Sequence, residues 1–180
     1  VGHDVPVLRQ LAHALLQLGK YATRADMIAA AKEAIAYEHL AFDREARFWP
    51  DLRKGPAKDG EPPMVSWCHG GPGIALARLY AKDVLDSPAI DEDITLGLES
   101  VVRAGLLDVD HLCCANAGLI EILLVAGRRL GQPELVERAD ALAKEVLRRA
   151  RKVGGFLLSA PWTPFYPGFF RGIALICYTF

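Results

Sequence analysis

A turn that carries cysteine and ends in glycine occurs twice in this chain, and each copy leads into a helical pattern. The first copy reads WCHGGPG over residues 67–73, and the second reads LCCANAG over residues 112–118. Aligned without gaps, Cys68 falls on Cys113, and the last glycines of both copies coincide. Glycine allows the backbone to turn sharply or to approach another group closely. The shared spacing predicts an internal repeat of turn and helix, with a site between its copies.

The segments around these turns are apolar at helical spacing, with no strand-like alternation. The first helix is expected to end at Gly19, and the second to bury a side that includes Ile35 and Tyr37. This second helix is predicted over Arg24–Leu40. Further helices are predicted at the following segments: Cys68–Lys82 with its turn, Pro88–Ala104, 119–129 and Glu134–Arg151. Such repeated helical hairpins must stack to bury their apolar faces. The sequence therefore predicts an all-α repeat fold.

Composition places the chain among ordinary globular domains. Its 180 residues are enough for one domain, which we take to span residues 1–180, and 52% of them are hydrophobic. The formal net charge is −1 and the basic residues are dispersed, so nucleic acid is not an expected partner. No apolar run is long enough to span a bilayer, and no N-terminal segment has the order of a signal peptide. We expect a cytoplasmic protein.

The cysteines point to metal binding or to thiol chemistry. Adjacent cysteines such as Cys113 and Cys114 rarely bridge each other, and clustered thiols in a reducing compartment more often hold metal. Together with Cys68 and His69 they offer several ligand sets for one zinc ion. Adjacent ligands are not the spacing of a zinc finger, which favours three ligands with the fourth position open to an incoming thiol. Alternatively, both turns only cap helices and their cysteines pack, as we expect for Cys177 in its apolar run.

Both motifs resemble the zinc-binding motifs of the lanthionine synthetase C-like cyclases. The similarity includes Pro72-Gly73 after the first motif, and it is closer to the C-terminal cyclase domain of class II lanthipeptide synthetases. Residues 34–38, AIAYE, and residues 49–53, WPDLR, also look like that group. The resemblance covers nearly the whole chain.

The resemblance implies an α/α toroid, with an inner ring of helices inside an outer ring and zinc at the mouth of the inner ring. It implies a reaction in which a cysteine thiol of a dehydrated precursor peptide adds to dehydroalanine or dehydrobutyrine and forms a thioether ring. By position, Cys68 and Cys113 would be zinc ligands, and Cys114 stands where many members have a histidine as the third ligand. His69 would have a catalytic role in substrate placement or proton transfer.

The sequence also departs from the family pattern. A complete toroid is longer than this chain, so we expect the C-terminal part of one, with the upstream half of the synthetase as a partner. The family's His-Gly-x-x-Gly turn, whose histidine is a proposed acid/base residue, falls on Pro6, Val7 and Gln10. Besides a cyclase, the sequence thus fits a catalytically incomplete zinc-binding module that binds peptide or completes a larger synthetase. A third reading is a helical-repeat protein without metal.

Overall fold

The computed structural model describes residues 5–51 and 65–158, with residues 168, 171, 172, 174 and 179 from the C-terminal segment, and only the backbone over residues 5–10. Within these residues the regular structure is helical: α1 Val5–Tyr21, α2 Ala25–Leu40, α3 Gly71–Ala81, α4 Pro88–Ala104, α5 Asn116–Leu130 and α6 Pro133–Val153. An isolated antiparallel bridge joins Asp43 to Phe48. No helix in the described part of the chain is long and apolar enough to cross a membrane. The all-α prediction is confirmed, while Cys177 lies outside the described residues.

The chain divides into two compact units. The first comprises Val1–Met64 and His69–Ser100, and the second comprises Val65–Cys68 and Val101–Phe180. Helices α1, α2 and α3 belong to the first unit, and α5 and α6 belong to the second. Each unit is described by itself below.

In the first unit, α1 packs against both α2 and α3. The predicted end of α1 at Gly19 is wrong, because the helix continues to Tyr21. A Cβ at Gly19 would lie 2.7 Å from Ile28 Cγ1, so this glycine lets α2 approach α1 closely. Likewise, a Cβ at Gly97 of α4 would lie 2.5 Å from the carbonyl oxygen of Gly71 in α3. Glycine therefore sets the packing distance of two helix pairs in this unit.

The core of the first unit contains a buried cluster of charges. Arg78 donates from Nε to Asp93 Oδ2 over 2.8 Å and from Nη2 to Glu38 Oε2 over 2.9 Å, and all three side chains are at most 1% exposed. His39 Nδ1 lies 2.7 Å from the other oxygen of Asp93. The buried side of α2 therefore carries Glu38, whereas Tyr37, predicted to be buried, is 43% exposed. The pattern of apolar residues does not reveal this buried face of α2, because the face carries the carboxylate of Glu38, which is buried as an ion pair with Arg78.

In the second unit, α5 packs against α6. Gly131 ends α5 and Gly154 ends α6 in the left-handed conformation that favours glycine, with φ of 66° and 85°. A Cβ at Gly127 would lie 2.6 Å from Val136 Cγ2, so the two helices approach closely where they join. Helix α5 begins at Asn116, three residues before its predicted start, directly after the second cysteine turn.

Candidate metal centre

Three cysteine sulfurs meet in the second unit. Cys68 Sγ lies 3.4 Å from Cys114 Sγ and 3.3 Å from Cys113 Sγ, and the sulfurs of Cys113 and Cys114 are 3.3 Å apart. All three residues are free cysteines and half-buried. The fold therefore brings together the three cysteines that the sequence singled out, and it places their sulfurs in a nearly equilateral triangle.

These sulfurs fit the donor set that zinc prefers. With Zn–S bonds of about 2.3 Å, sulfurs in a tetrahedral site lie roughly 3.8 Å apart, so each pair needs to open by only about half an ångström. Thiolate is a soft ligand that selects zinc or copper(I) over magnesium or calcium. All three residues are only half-buried, so solvent reaches part of the cluster. The three residues could thus hold a zinc ion while leaving one coordination position open.

Backbone contacts hold the two turns together. The N–H of Cys68 donates to the carbonyl oxygen of Cys113 over 3.3 Å. Gly118, in the first turn of α5, lies so close to the second turn that a Cβ would sit 2.2 Å from Leu112 O and 3.2 Å from Trp67 Cβ. Only glycine permits this approach. The glycine that ends the second motif is therefore what allows α5 to pack beneath the cysteines.

The three thiols differ in their proton affinity. Hydrogen bonds, first from Cys114 and then from Ser66 and Cys113, lower the pKa of Cys68 to about 5. Burial raises the pKa of Cys113, and the pKa of Cys114 is raised mainly by its hydrogen bond to Cys68 and by burial. The lowered pKa of Cys68 and the raised pKa values of the other two thiols favour one negative charge in the metal-free cluster, centred on Cys68.

A buried polar network fixes the segment that leads into the second turn. The Asn116 side chain, fully buried, donates from Nδ2 to Asp110 Oδ1 over 2.9 Å and to the carbonyl oxygens of Leu107 and Val109. It also accepts the N–H of Leu107. Asp110 in turn accepts hydrogen bonds from Arg149 and from the N–H of Leu157. Residues 107–110 are thereby tied to α5, α6 and the segment after α6.

His111 is a second buried polar residue of this segment, and sequence reasoning missed it. Its Nδ1 accepts the backbone N–H of Cys114 over 3.3 Å. Burial is the main reason that its pKa is lowered. The sequence carried one signal for it: in the alignment of the two turns His111 falls on Ser66, whose Oγ lies 3.6 Å from Cys68 Sγ.

His69, the predicted catalytic residue, belongs to the first unit. Its imidazole is 4% exposed, and its Nε2 lies 3.5 Å from Asp51 Oδ2. Asp51 belongs to the WPDLR segment noted in the sequence. The structure therefore pairs His69 with a carboxylate. Of the upstream positions Pro6, Val7 and Gln10, it describes only the backbone, within α1.

Comparison with known proteins identifies relatives of the chain. The sequence model of the family described as "Lanthionine synthetase C-like protein" matches residues 8–180. The nisin biosynthesis protein NisC of Lactococcus lactis subsp. lactis is 31% identical over 119 residues, which is 61% of this chain and 28% of NisC. A solved structure titled "Nisin cyclase" superposes with a TM-score of 0.69 at 22% identity, covering 96% of this chain and 43% of that one. The chain thus spans less than half the length of either relative. The structural likeness confirms the predicted fold class, an all-α array of helical hairpins that forms part of an α/α toroid.

Proposed function

The chain belongs to the lanthionine synthetase C-like family, and from this premise we propose that it takes part in forming lanthionine rings during lanthipeptide biosynthesis. The proposed substrate is a dehydrated precursor peptide, and the proposed cofactor is zinc held by Cys68, Cys113 and Cys114. Because the chain spans only part of its relatives, we propose that the upstream half of the synthetase completes the enzyme. We place this activity in the cytoplasm.

The observation that carries this proposal is the triangle of half-buried sulfurs, 3.3–3.4 Å apart. Zinc bound there would lower the pKa of a peptide thiol that takes the open position, so that the sulfur reacts as a thiolate. The chain itself supplies three sulfur donors whose places are set by the contact between the two turns and by Gly118.

The reaction requires two proton movements and no oxidant or reductant. The substrate thiol loses its proton, its sulfur bonds to the β-carbon of the dehydro residue, and the α-carbon takes up a proton. A C–S bond and a C–H bond replace the S–H bond and the π bond of C=C, and a carbon–carbon single bond remains. We propose that His69 aids this proton transfer or places the substrate, and that Asp51, 3.5 Å from its ring, orients it.

A catalytically incomplete binding module is the second candidate function. It is favoured by the sequence around Pro6, where the family resemblance leads us to expect an acid/base histidine and the chain has none in register. Such a module would hold zinc and bind peptide, or complete a larger synthetase, without turnover by itself. Incubation with a dehydrated precursor separates the two candidates. Loss of free peptide thiol, measured by alkylation and mass spectrometry, would support a cyclase, and its absence until the upstream half is added would support the module.

Metal content is the direct test of the site. We expect about one zinc per chain by mass spectrometry in protein purified without chelators or metal-affinity resin. Cys113→Ala should remove most of this zinc, because two sulfurs hold the ion far more weakly than three. The matched control is Cys177→Ala, because the sequence predicts that Cys177 only packs in the core. This variant should keep its zinc. Stoichiometric zinc in Cys113→Ala would contradict the ligand assignment, and folded wild-type protein without zinc would favour a helical scaffold without metal.

A further inference from the structure

The side chain of His111 contacts the backbone of a proposed metal ligand, and no part of the proposed reaction uses it. The imidazole is buried, with 4% of its surface exposed, and its Nδ1 accepts the N–H of Cys114 over 3.3 Å. Histidine beside three cysteines invites the interpretation that it is a fourth ligand, which would close the zinc site. The hydrogen bond argues against that interpretation.

A backbone N–H can only donate, so Nδ1 of His111 must be the acceptor and carries no proton. In the neutral ring the proton is then on Nε2. The Nδ1 lone pair is engaged by Cys114, and Nε2 has no lone pair to offer. The hydrogen bond therefore fixes the tautomer of His111, whose side chain supports the turn. The three cysteines remain the donor set, with a position open for a substrate thiol.

The first turn contains a related arrangement. Ser66 occupies the position two residues before Cys68, as His111 does before Cys113, and it is 1% exposed. Its Oγ lies 3.6 Å from Cys68 Sγ. In both copies of the repeat, a buried polar side chain two residues before the first cysteine thus contacts a cysteine of its own turn.

We propose that His111 is a positioning residue for the metal centre, which holds Cys114 in ligating geometry through its backbone N–H and does not bind the metal itself. The inference rests on the proposed function, because it presupposes that the three cysteines hold zinc. Groups that orient metal ligands typically change metal affinity by about 10–100-fold when they are removed. A loss of that size is what we expect here.

The test compares three variants of the full chain. His111→Asn places an amide oxygen near the position of Nδ1 and can still accept the Cys114 N–H. His111→Gln places its amide one carbon further out, near the position of Nε2, and His111→Leu has no acceptor. Zinc affinity is measured by competition with a chromogenic chelator. Co²⁺ substitution reports ligand geometry through the thiolate-to-cobalt charge-transfer band, and the thermal midpoint of each metal-free variant reports its stability.

We expect His111→Asn to bind zinc and Co²⁺ nearly as the wild type does, and His111→Gln and His111→Leu to bind about 10–100-fold more weakly with an altered charge-transfer band. If His111→Leu does not fold, the Asn and Gln pair decides the question. Unchanged affinity and spectrum in both Gln and Leu variants would overturn the proposal, and so would equal losses in the Asn and Gln variants. Absence of metal from the wild type would instead refute the proposed function.

Discussion

Replacing Arg78 by methionine should destabilise the first unit severely. Methionine keeps much of the length and apolar volume of the side chain but removes its charge and its donors. The change leaves the carboxylates of Glu38 and Asp93 buried without their shared cation, since both are at most 1% exposed. Breaking a buried ion pair from one side costs more than the pair contributes, because the remaining charge stays desolvated.

The expected loss can be worked out from the two hydrogen bonds. Arg78 donates to Asp93 over 2.8 Å and to Glu38 over 2.9 Å. Each buried hydrogen bond to a charged group contributes about 1.5–3 kcal/mol, and removing one partner of a buried pair costs about 3–5 kcal/mol. We therefore expect the free energy of unfolding to fall by about 3–5 kcal/mol. The melting temperature should fall by roughly 6–20 °C, at about 2–4 °C per kcal/mol for a chain of this size.

Urea unfolding followed by circular dichroism measures this loss. Arg44→Met is the matched control, because Arg44 forms a comparable pair with Glu92 over 2.9 Å in the same unit but is 68% exposed. It should leave the unfolding midpoint nearly unchanged. Adding Glu38→Gln and Asp93→Asn to Arg78→Met should restore part of the stability, because the buried charges are then removed as well. A loss below about 1 kcal/mol in Arg78→Met, or one no larger than in the Arg44 control, would refute the argument.

Two further predictions concern the metal centre. Gly118→Ala should cost about 1–3 kcal/mol of stability and weaken metal binding, because its Cβ would lie 2.2 Å from the backbone oxygen of Leu112. Gly155→Ala is the control, because no atom of the described residues lies within 4 Å of the position of its Cβ, and equal melting temperatures for both variants would contradict the prediction. Zinc binding at pH 7 should release about two protons, because the lowered pKa of Cys68 and the raised pKa values of Cys113 and Cys114 favour one negative charge in the metal-free cluster, whereas zinc binds three thiolates. Affinity should therefore fall as the pH is lowered, and calorimetry in buffers of different ionisation enthalpy that finds fewer than one proton would contradict this assignment.

The fold could be predicted from the sequence where apolar periodicity reports burial directly. Helix α4 was predicted at Pro88–Ala104, and it has those bounds in the structure. The prediction fails where burial is polar or where glycine acts in packing. Glu38 and Arg78 are 40 residues apart in the chain, and in sequence each looks like an exposed charge on an amphipathic helix. Gly19 looks like a helix stop, whereas it allows α2 to approach α1, a role that depends on Ile28 in another helix.

The sequence could predict the candidate ligands of the site but not the residues that hold these ligands in place. Residue type and spacing indicate Cys68, His69, Cys113 and Cys114 as candidate ligands. The family resemblance then reduces this set to the three cysteines. Asn116 and His111 position the second turn through hydrogen bonds to backbone groups. Because every residue has these backbone groups, residue type alone does not reveal which side chain will bind them. The internal repeat gives information that residue type does not, because each position can be compared with its counterpart in the other turn. Ser66 and His111 share one register position and one kind of contact, although a hydroxyl and an imidazole have little else in common. In a repeat protein of this kind, the position two residues before the first cysteine of each turn is therefore where a positioning residue should be sought first.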